Sequence, residues 1–419
     1  MTPAAPVADA KAPTFVFLIV VLLVGQALGT MATSILPAVA PKVVESYGVS
    51  SSLIGYQVSL ISLAMLISLV YGGNLAVRWG GCRTSQLGLA LCIAGCVTAM
   101  LPHQGFLLLS AVPMGLGYGL VSPATSQVLM RFTPAERRNF IFSLKQTGVP
   151  LGGIAAGGLA PAIAVWVGWQ WALAVNAASL VVLMIFMERG RAHWDNDRDP
   201  QAKLVADPYG GLATVWRDRA LRLLALSGAA FVVMQIALLT FTVIFFVEEM
   251  KLGLVQAGFI LMASQMGGVA GRLFWGWVAD ALHDCFKALA LLGAVMTVTT
   301  LLCLTITPAW PLLASCALFF VLGTTASGWN GAFLAEVARQ SPQQAVSAAT
   351  GGSLFVVNVG KFLGPIIFTA AYQLSGSYAS AFALMAIPSA AGLVCMLLVG
   401  KRAAPGALLT DEAGPLGRE

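Results

Sequence analysis

Apolar runs long enough to cross a bilayer recur along the whole chain, separated by short polar turns. They fall at 14–36, 53–77, 85–101, 105–130, 139–163 and 171–187, and again at 221–247, 253–279, 287–307, 311–335, 345–371 and 379–400. A helix needs about 20 mostly apolar residues to span the hydrocarbon core. The pattern therefore predicts an all-α membrane protein with twelve transmembrane helices. Only one polar interruption is long: segment 188–220 carries Arg189, Arg191, Asp195, Asp197, Arg198, Asp199, Lys203, Asp207, Arg217 and Asp218. It divides the chain into a six-helix half over 1–187, a cytoplasmic linker over 188–220, and a second six-helix half over 221–419 that ends in a short cytoplasmic tail. An even number of spans puts both termini on one side.

The halves repeat. Arg131-Phe-Thr-Pro134 follows span 4 and Arg339-Gln-Ser-Pro342 follows span 10, at the same interval that separates Gly115 from Gly323. Between spans 2 and 3, Gly73-Asn-Leu-Ala-Val77 faces Gly276-Trp-Val-Ala-Asp280 between spans 8 and 9. Duplicated halves with a binding site between them, near the midplane, are a common construction of secondary transporters. Two pseudo-symmetric halves are expected.

Composition removes the soluble alternatives. With 58% hydrophobic and 10% charged residues and a mean hydropathy of +0.85, the chain holds too much apolar surface for one aqueous core. The net charge of +6 invites a nucleic-acid reading, which the distribution rejects. Of the 23 Lys and Arg, only Lys42 and Lys251 fall on one set of alternating loops, and Lys145, Arg272 and Lys361 fall inside spans. The rest gather on the other side, which the positive-inside rule makes cytoplasmic. The seven cysteines lie in spans or cytoplasmic loops, so no disulfide framework is implied. His103, His193 and His283 lie in or beside loops without metal-ligand spacing, and Gly115-Leu-Gly117-Tyr-Gly119 lacks the strand that phosphate binding requires. No metal, cofactor or catalytic site is expected; transport must draw on gradients.

Charges inside the spans carry the functional signal, because each costs roughly 2.5–3.5 kcal/mol on insertion scales. The three candidates are all cationic: Lys361 well inside span 11, Arg272 about two turns from the cytoplasmic end of span 8, and Lys145 near the start of span 5. Glu45, Glu248, Glu249, Asp280 and Glu336 all lie at span ends or in loops. Uncompensated positive charge in a central cavity calls for an anion, and the natural one is the substrate. Gln26, Gln127, Gln235, Gln265, Asn330 and Asn358 are the neutral polar residues that would complete the cavity, with Gln146 and Trp329 beside it.

Gly73-Asn-Leu75-Ala76-Val77-Arg78-Trp-Gly80-Gly-Cys-Arg83 resembles the signature of the major facilitator superfamily between spans 2 and 3, and the resemblance extends over essentially the full chain. It implies the major facilitator fold. It also marks Gly73, Arg78, Gly80, Arg83, Gly276 and Asp280 as residues of the conformational change, through close helix approach and a tight turn. The signature's acid is replaced by Val77, and the Arg often found ahead of the span 4 glycines is replaced by Ala111. Gly148-Val-Pro150-Leu-Gly152-Gly153 resembles the glycine–proline pattern of exporters and suggests a bendable, closely packed helix.

Gly271-Arg272-Leu-Phe-Trp-Gly276-Trp-Val-Ala-Asp280 resembles span 8 of the oxalate–formate and monocarboxylate transporters. That likeness implies that Arg272 and Lys361 bind a carboxylate. The expected activity is secondary active transport of a small organic anion by alternating access, driven by anion exchange or proton symport. The alternatives are a proton-coupled exporter of drugs or apolar metabolites, and a receptor that binds without transporting. The expected setting is a bacterial cytoplasmic membrane, with the bilayer and the substrate as partners and a monomer as the working unit.

Overall fold

The computed structural model describes residues 14–134, 137–202, 208–341 and 345–400. Lys203, Asp207, Pro342 and both termini, with the expected tail, lie outside the described residues. Among the described residues, twelve helices are long and apolar enough to cross a membrane. They are α1 (Phe15–Ala38), α2 (Ser52–Trp79), α3 (Gly81–Ala99), α4 (Gln104–Phe132), α5 (Arg138–Gln146 and Gly148–Trp166) and α6 (Trp169–Trp194). The second group is α7 (Arg219–Ile244, prolonged by a π turn at Phe245–Glu249), α8 (Leu254–Leu282), α9 (Cys285–Leu301, then Leu302–Thr305), α10 (Leu312–Gln340), α11 (Val346–Ser375) and α12 (Tyr378–Leu384 and Ala386–Gly400). Each helix falls on one of the apolar runs. We call the side bearing the α6–α7 connection the linker face.

One expectation needs correction. Residues 188–194 belong to α6, not to a linker, because a buried stripe at Leu183, Met187, Gly190 and Trp194 carries the helical period onward. Trp194 stacks on Phe17 of α1 at 5.9 Å, which closes that stripe. Beyond it the connection contains a further helix, Pro208–Arg217, packed on α11.

Helix pairing recurs at a shift of six. In the first group α1 packs on α5, α2 on α4 and α3 on α6; in the second, α7 packs on α11, α8 on α10 and α9 on α12. The principal contacts between groups, α5 with α8 and α2 with α11, are related by the same shift. Helix α5 fits between two neighbours because glycines line both of its flanks. A Cβ on Gly148 would stand 2.7 Å from the Leu23 carbonyl oxygen of α1, and one on Gly157 would stand 3.0 Å from the Gly258 carbonyl oxygen of α8. Close approach of this kind is the main source of helix adhesion in lipid, where apolar burial gives no net drive.

The glycines of the signature behave differently. Gly73 and Gly276 have no atom within 4 Å of where a Cβ would stand, so close helix approach does not explain them here. Gly80 is required by its backbone: φ of +97° lets the chain turn from α2 into α3. The first N–H groups of α3 are then taken by Asp195, which accepts from the Cys82 and Arg83 amides at 2.7 and 3.0 Å. Arg131 at the end of α4 pairs with Asp197 at 2.8 Å, so the end of α6 ties down two neighbouring helices.

On the face opposite the linker, the two groups of helices are joined. The Ser51 hydroxyl at the start of α2 meets the Tyr378 hydroxyl of α12 at 2.6 Å, and Tyr378 donates to Glu248 of the π turn at 2.9 Å. Glu249 accepts from the Ser377 hydroxyl at 2.9 Å and from the Tyr378 amide.

Candidate substrate site

Tyr118 stands midway along α4. Its flanking residues, Gly117 and Gly119, sit against α3 and α2, and Gly29 of α1 leaves room for the ring, whose nearest atom would be 3.3 Å from a Cβ there. The phenolic oxygen accepts from the Gln26 amide at 3.1 Å and shares a hydrogen bond with the Thr30 hydroxyl at 3.0 Å. Thr30 in turn donates to the Gln26 carbonyl oxygen at 2.9 Å, one turn back along α1. These bonds fix the ring between the first group of helices and α11.

Lys361 of α11 meets that ring from the second group. Its ammonium lies 5.8 Å from the Tyr118 centroid and 3.7 Å from the Met65 sulfur of α2. A ring face and a thioether are weak partners for an ammonium. No carboxylate among the described residues pairs with it. Arg272 of α8 is an electrostatic neighbour of the same phenol. Its Nη1 donates to the Gln146 carbonyl oxygen of α5 at 2.8 Å, while its Nε is buried without a partner. Gln26 Oε1 is likewise buried and unpartnered. The arrangement gathers two cations, an unused N–H donor and an amide oxygen around one phenol, at a depth where uncompensated charge is costly.

The remaining sequence candidates are dispersed. Lys145 is 2% exposed and donates to the Ser122 carbonyl oxygen at 3.0 Å and the Ser126 hydroxyl at 2.9 Å within the first group. Gln146 exposes its side chain; its backbone oxygen makes the contact to Arg272. The Gln265 amide lies against Gly153 at the α5–α8 contact. Asn358 and Asn330 donate back into their own helices, to Leu354 at 2.8 Å and Ser327 at 3.3 Å, and Trp329 does the same to Ala326 at 3.0 Å. Gln127 and Gln235 are half-buried, without a side-chain hydrogen bond among the described residues.

Among the acids, Asp280 is exposed and does not meet Arg272, and Glu336 is buried against Arg339 at 2.8 Å. Arg83 reaches Glu188 at 3.7 Å, and Arg78 lies near it with Trp79 and Arg198 on the linker face. Gly148 and Pro150 lie at the α5 break. Tyr118 itself went unnoticed in the sequence. Its signal was a lone large aromatic among Gly115, Gly117 and Gly119, in the middle of a span that otherwise reads as packing.

Among the described residues, twelve helices long and apolar enough to span a bilayer, in two sets of like pairing, have the architecture of a membrane carrier. Residues 22–353 match the family described as Major Facilitator Superfamily, and the chain belongs to it. It is 24% identical over 371 residues to an uncharacterised MFS-type transporter of Mycobacterium tuberculosis, covering 83% of this chain and 78% of the relative. It is 23% identical over 269 residues to a chloroplastic sodium-dependent phosphate transport protein of Arabidopsis thaliana, covering 60% of this chain and 51% of the relative. A shorter match, 27% over 157 residues and 36% of each chain, is to a voltage-gated purine nucleotide uniporter of Homo sapiens.

Proposed function

We propose that this transporter carries a small organic anion, a carboxylate, bound between Arg272 and Lys361 beside Tyr118. The observation that carries the reading is Lys361: an ammonium midway along a spanning helix whose contacts are a ring face and a sulfur. Its charge lacks the partner that burial demands, and Arg272 Nε and Gln26 Oε1, of residues that also neighbour Tyr118, add unmet hydrogen-bonding capacity. A carboxylate supplies charge for both cations and acceptors for the guanidinium, whose fork suits it. The names of two relatives point the same way, since phosphate and purine nucleotides are anions. The likeness of Gly271–Asp280 to the oxalate–formate and monocarboxylate branch supports a carboxylate among anions.

In this reading the halves, 1–187 and 221–419, rock about the site. Neutralisation of the cations by the substrate lowers the cost of closing the cavity around them. Drive comes from exchange for a second anion or from a proton carried along. The setting is a bacterial cytoplasmic membrane, with the linker face and both termini in the cytoplasm and the monomer as the working unit. The exporter reading rests on the α5 glycines and an apolar cavity rim; the glycines also serve packing against α1 and α8. Uptake of labelled carboxylates into vesicles, wild type against Lys361→Gln, is the direct test; equal uptake by both ends the proposal. Repeating it with preloaded anion and with an imposed pH gradient separates exchange from proton symport.

A further inference from the structure

Helix α5 breaks between Gln146 and Gly148, one residue beyond Lys145. In an unbroken helix the Gln146 carbonyl accepts from the N–H of residue 150. Residue 150 is proline and has no N–H to give. The vacant acceptor is filled from the other group of helices: Arg272 of α8 donates Nη1 to it at 2.8 Å. The Gln146 side chain is exposed, so the contact belongs to the backbone and survives changes at that side chain. Lys145, beside it, holds this stretch of α5 to α4 through Ser122 and Ser126.

We propose that Pro150 is a positioning residue for Arg272: it strips the Gln146 carbonyl of its helical donor, and the bare carbonyl holds the guanidinium and ties α5 to α8 until an anion displaces it. The exchange follows from acceptor strength. A carbonyl takes one bond assisted by the guanidinium charge alone, whereas a carboxylate takes a pair with charge on both partners and engages the Nε–H that the tie leaves unused. Substrate binding at Arg272 thus removes a bond between the two groups of helices at the moment it neutralises the site. The displacement rests on the reading of Arg272 as an anion ligand; the tie does not, and is tested without ligand.

The tie is read by pulsed electron paramagnetic resonance on the full-length protein without substrate. Spin labels go on Ser143→Cys and Leu282→Cys, both exposed near the linker ends of α5 and α8, in a background with the native cysteines replaced. Pro150→Ala restores an N–H that competes for the Gln146 oxygen. It is expected to raise the separated over the close population about tenfold, the worth of one charge-assisted hydrogen bond. Arg272→Gln does the same, and the double variant goes no further than either alone, because both cut one link. Gln146→Ala leaves the distribution unchanged. If Pro150→Ala keeps the wild-type distribution, or its effect adds to that of Arg272→Gln, the tie is refuted. Pro150→Gly, which also supplies an N–H, stands in should Pro150→Ala fail to fold.

Displacement is read separately with oxalate and with formate as probes. Either anion is expected to separate the labels in wild type, and in Pro150→Ala the KM for the labelled anion falls while the maximal rate does not rise. A merely bent helix would leave KM unchanged. Intact separation behaviour without any response to either anion overturns the displacement and the carboxylate reading together, and leaves the tie standing.

Discussion

The Lys361 ammonium stands over the Tyr118 ring at 5.8 Å, with the Met65 sulfur as its hydrogen-bond contact. A charge so placed destabilises the empty protein, because neither partner repays its desolvation. Lys361→Met is therefore expected to raise the thermal midpoint of purified, substrate-free protein, by the equivalent of up to about 2.5 kcal/mol on the insertion scale. Uptake should be lost in the same variant. A lowered midpoint, like that of an ordinary core truncation, would show that the ammonium is a structural member and not a substrate ligand.

Tyr118 separates the ring from the hydroxyl. Tyr118→Phe keeps the surface that faces Lys361 and releases Gln26 and Thr30, which the phenol holds at 3.1 and 3.0 Å. Neutral hydrogen bonds of this kind contribute about 1 kcal/mol each. The KM for the transported anion is expected to rise by roughly tenfold with a smaller change in maximal rate, whereas Tyr118→Leu should lose both. Kinetics of labelled uptake check this, and indistinguishable values for the Phe and Leu variants would remove the ring from the site.

Much of the molecule was legible in the chain, since each spanning helix writes itself as an apolar run and the lipid leaves no other backbone solution. Lys361 and Arg272 stood out for the same reason, as charges with no aqueous excuse. What stayed hidden depends on partners far apart in sequence. Tyr118 reads as one aromatic among many until Gln26, Thr30 and Lys361 surround it. Lys145 stands in the sequence as a third charge within a span, nearer its end, and a turn of α4 satisfies it through Ser122 and Ser126. The carboxylate absent at Val77 comes to the same turn from Asp195, at the end of α6. Period and composition cannot carry that pairing.

Lys145 should accordingly behave as a strut. Lys145→Ala leaves a buried carbonyl and hydroxyl on α4 without their donor, a loss of about 1–3 kcal/mol. The expected result is a lower thermal midpoint with the KM of the remaining folded carrier close to wild type. A KM change as large as that of an Arg272 variant, at unchanged stability, would put Lys145 in the substrate site instead.

The Ser51–Tyr378–Glu248 chain joins α2 to α12 and the α7 turn on the face away from the linker. Tyr378→Phe removes the hydroxyl common to both bonds and keeps the stacking on Tyr372 at 4.2 Å. Opening on that face should become more frequent, seen as faster alkylation of a cysteine placed at Ser52, half-buried at the start of α2. The effect should be about tenfold if the two bonds act as one, near 1.4 kcal/mol. Equal labelling rates would mean that the direct Ser51–Glu248 bond at 3.4 Å and apolar contacts, such as those of Phe241 around Gly55, keep this face closed.

Asp195 gives the pH dependence. It lies at the end of α6, 7% exposed, and burial holds its carboxyl above the usual carboxylate range despite the two α3 amides it accepts. A raised folded pKa means that the proton is bound more tightly in the folded than in the unfolded chain. The stability this group adds is complete below the unfolded value and is lost as pH rises through the folded one. Asp195→Asn keeps one acceptor for α3 and cannot titrate. The difference in thermal midpoint, wild type minus Asp195→Asn, should therefore shrink as pH is raised from about 4 to about 7, the range above an ordinary Asp. Asp195→Ala, which removes the cap outright, should lie lower at every pH, by about 1 kcal/mol. A difference that grows with pH would mean that the α3 amides and Arg191 outweigh burial, and that the ionised carboxylate is the form the fold selects.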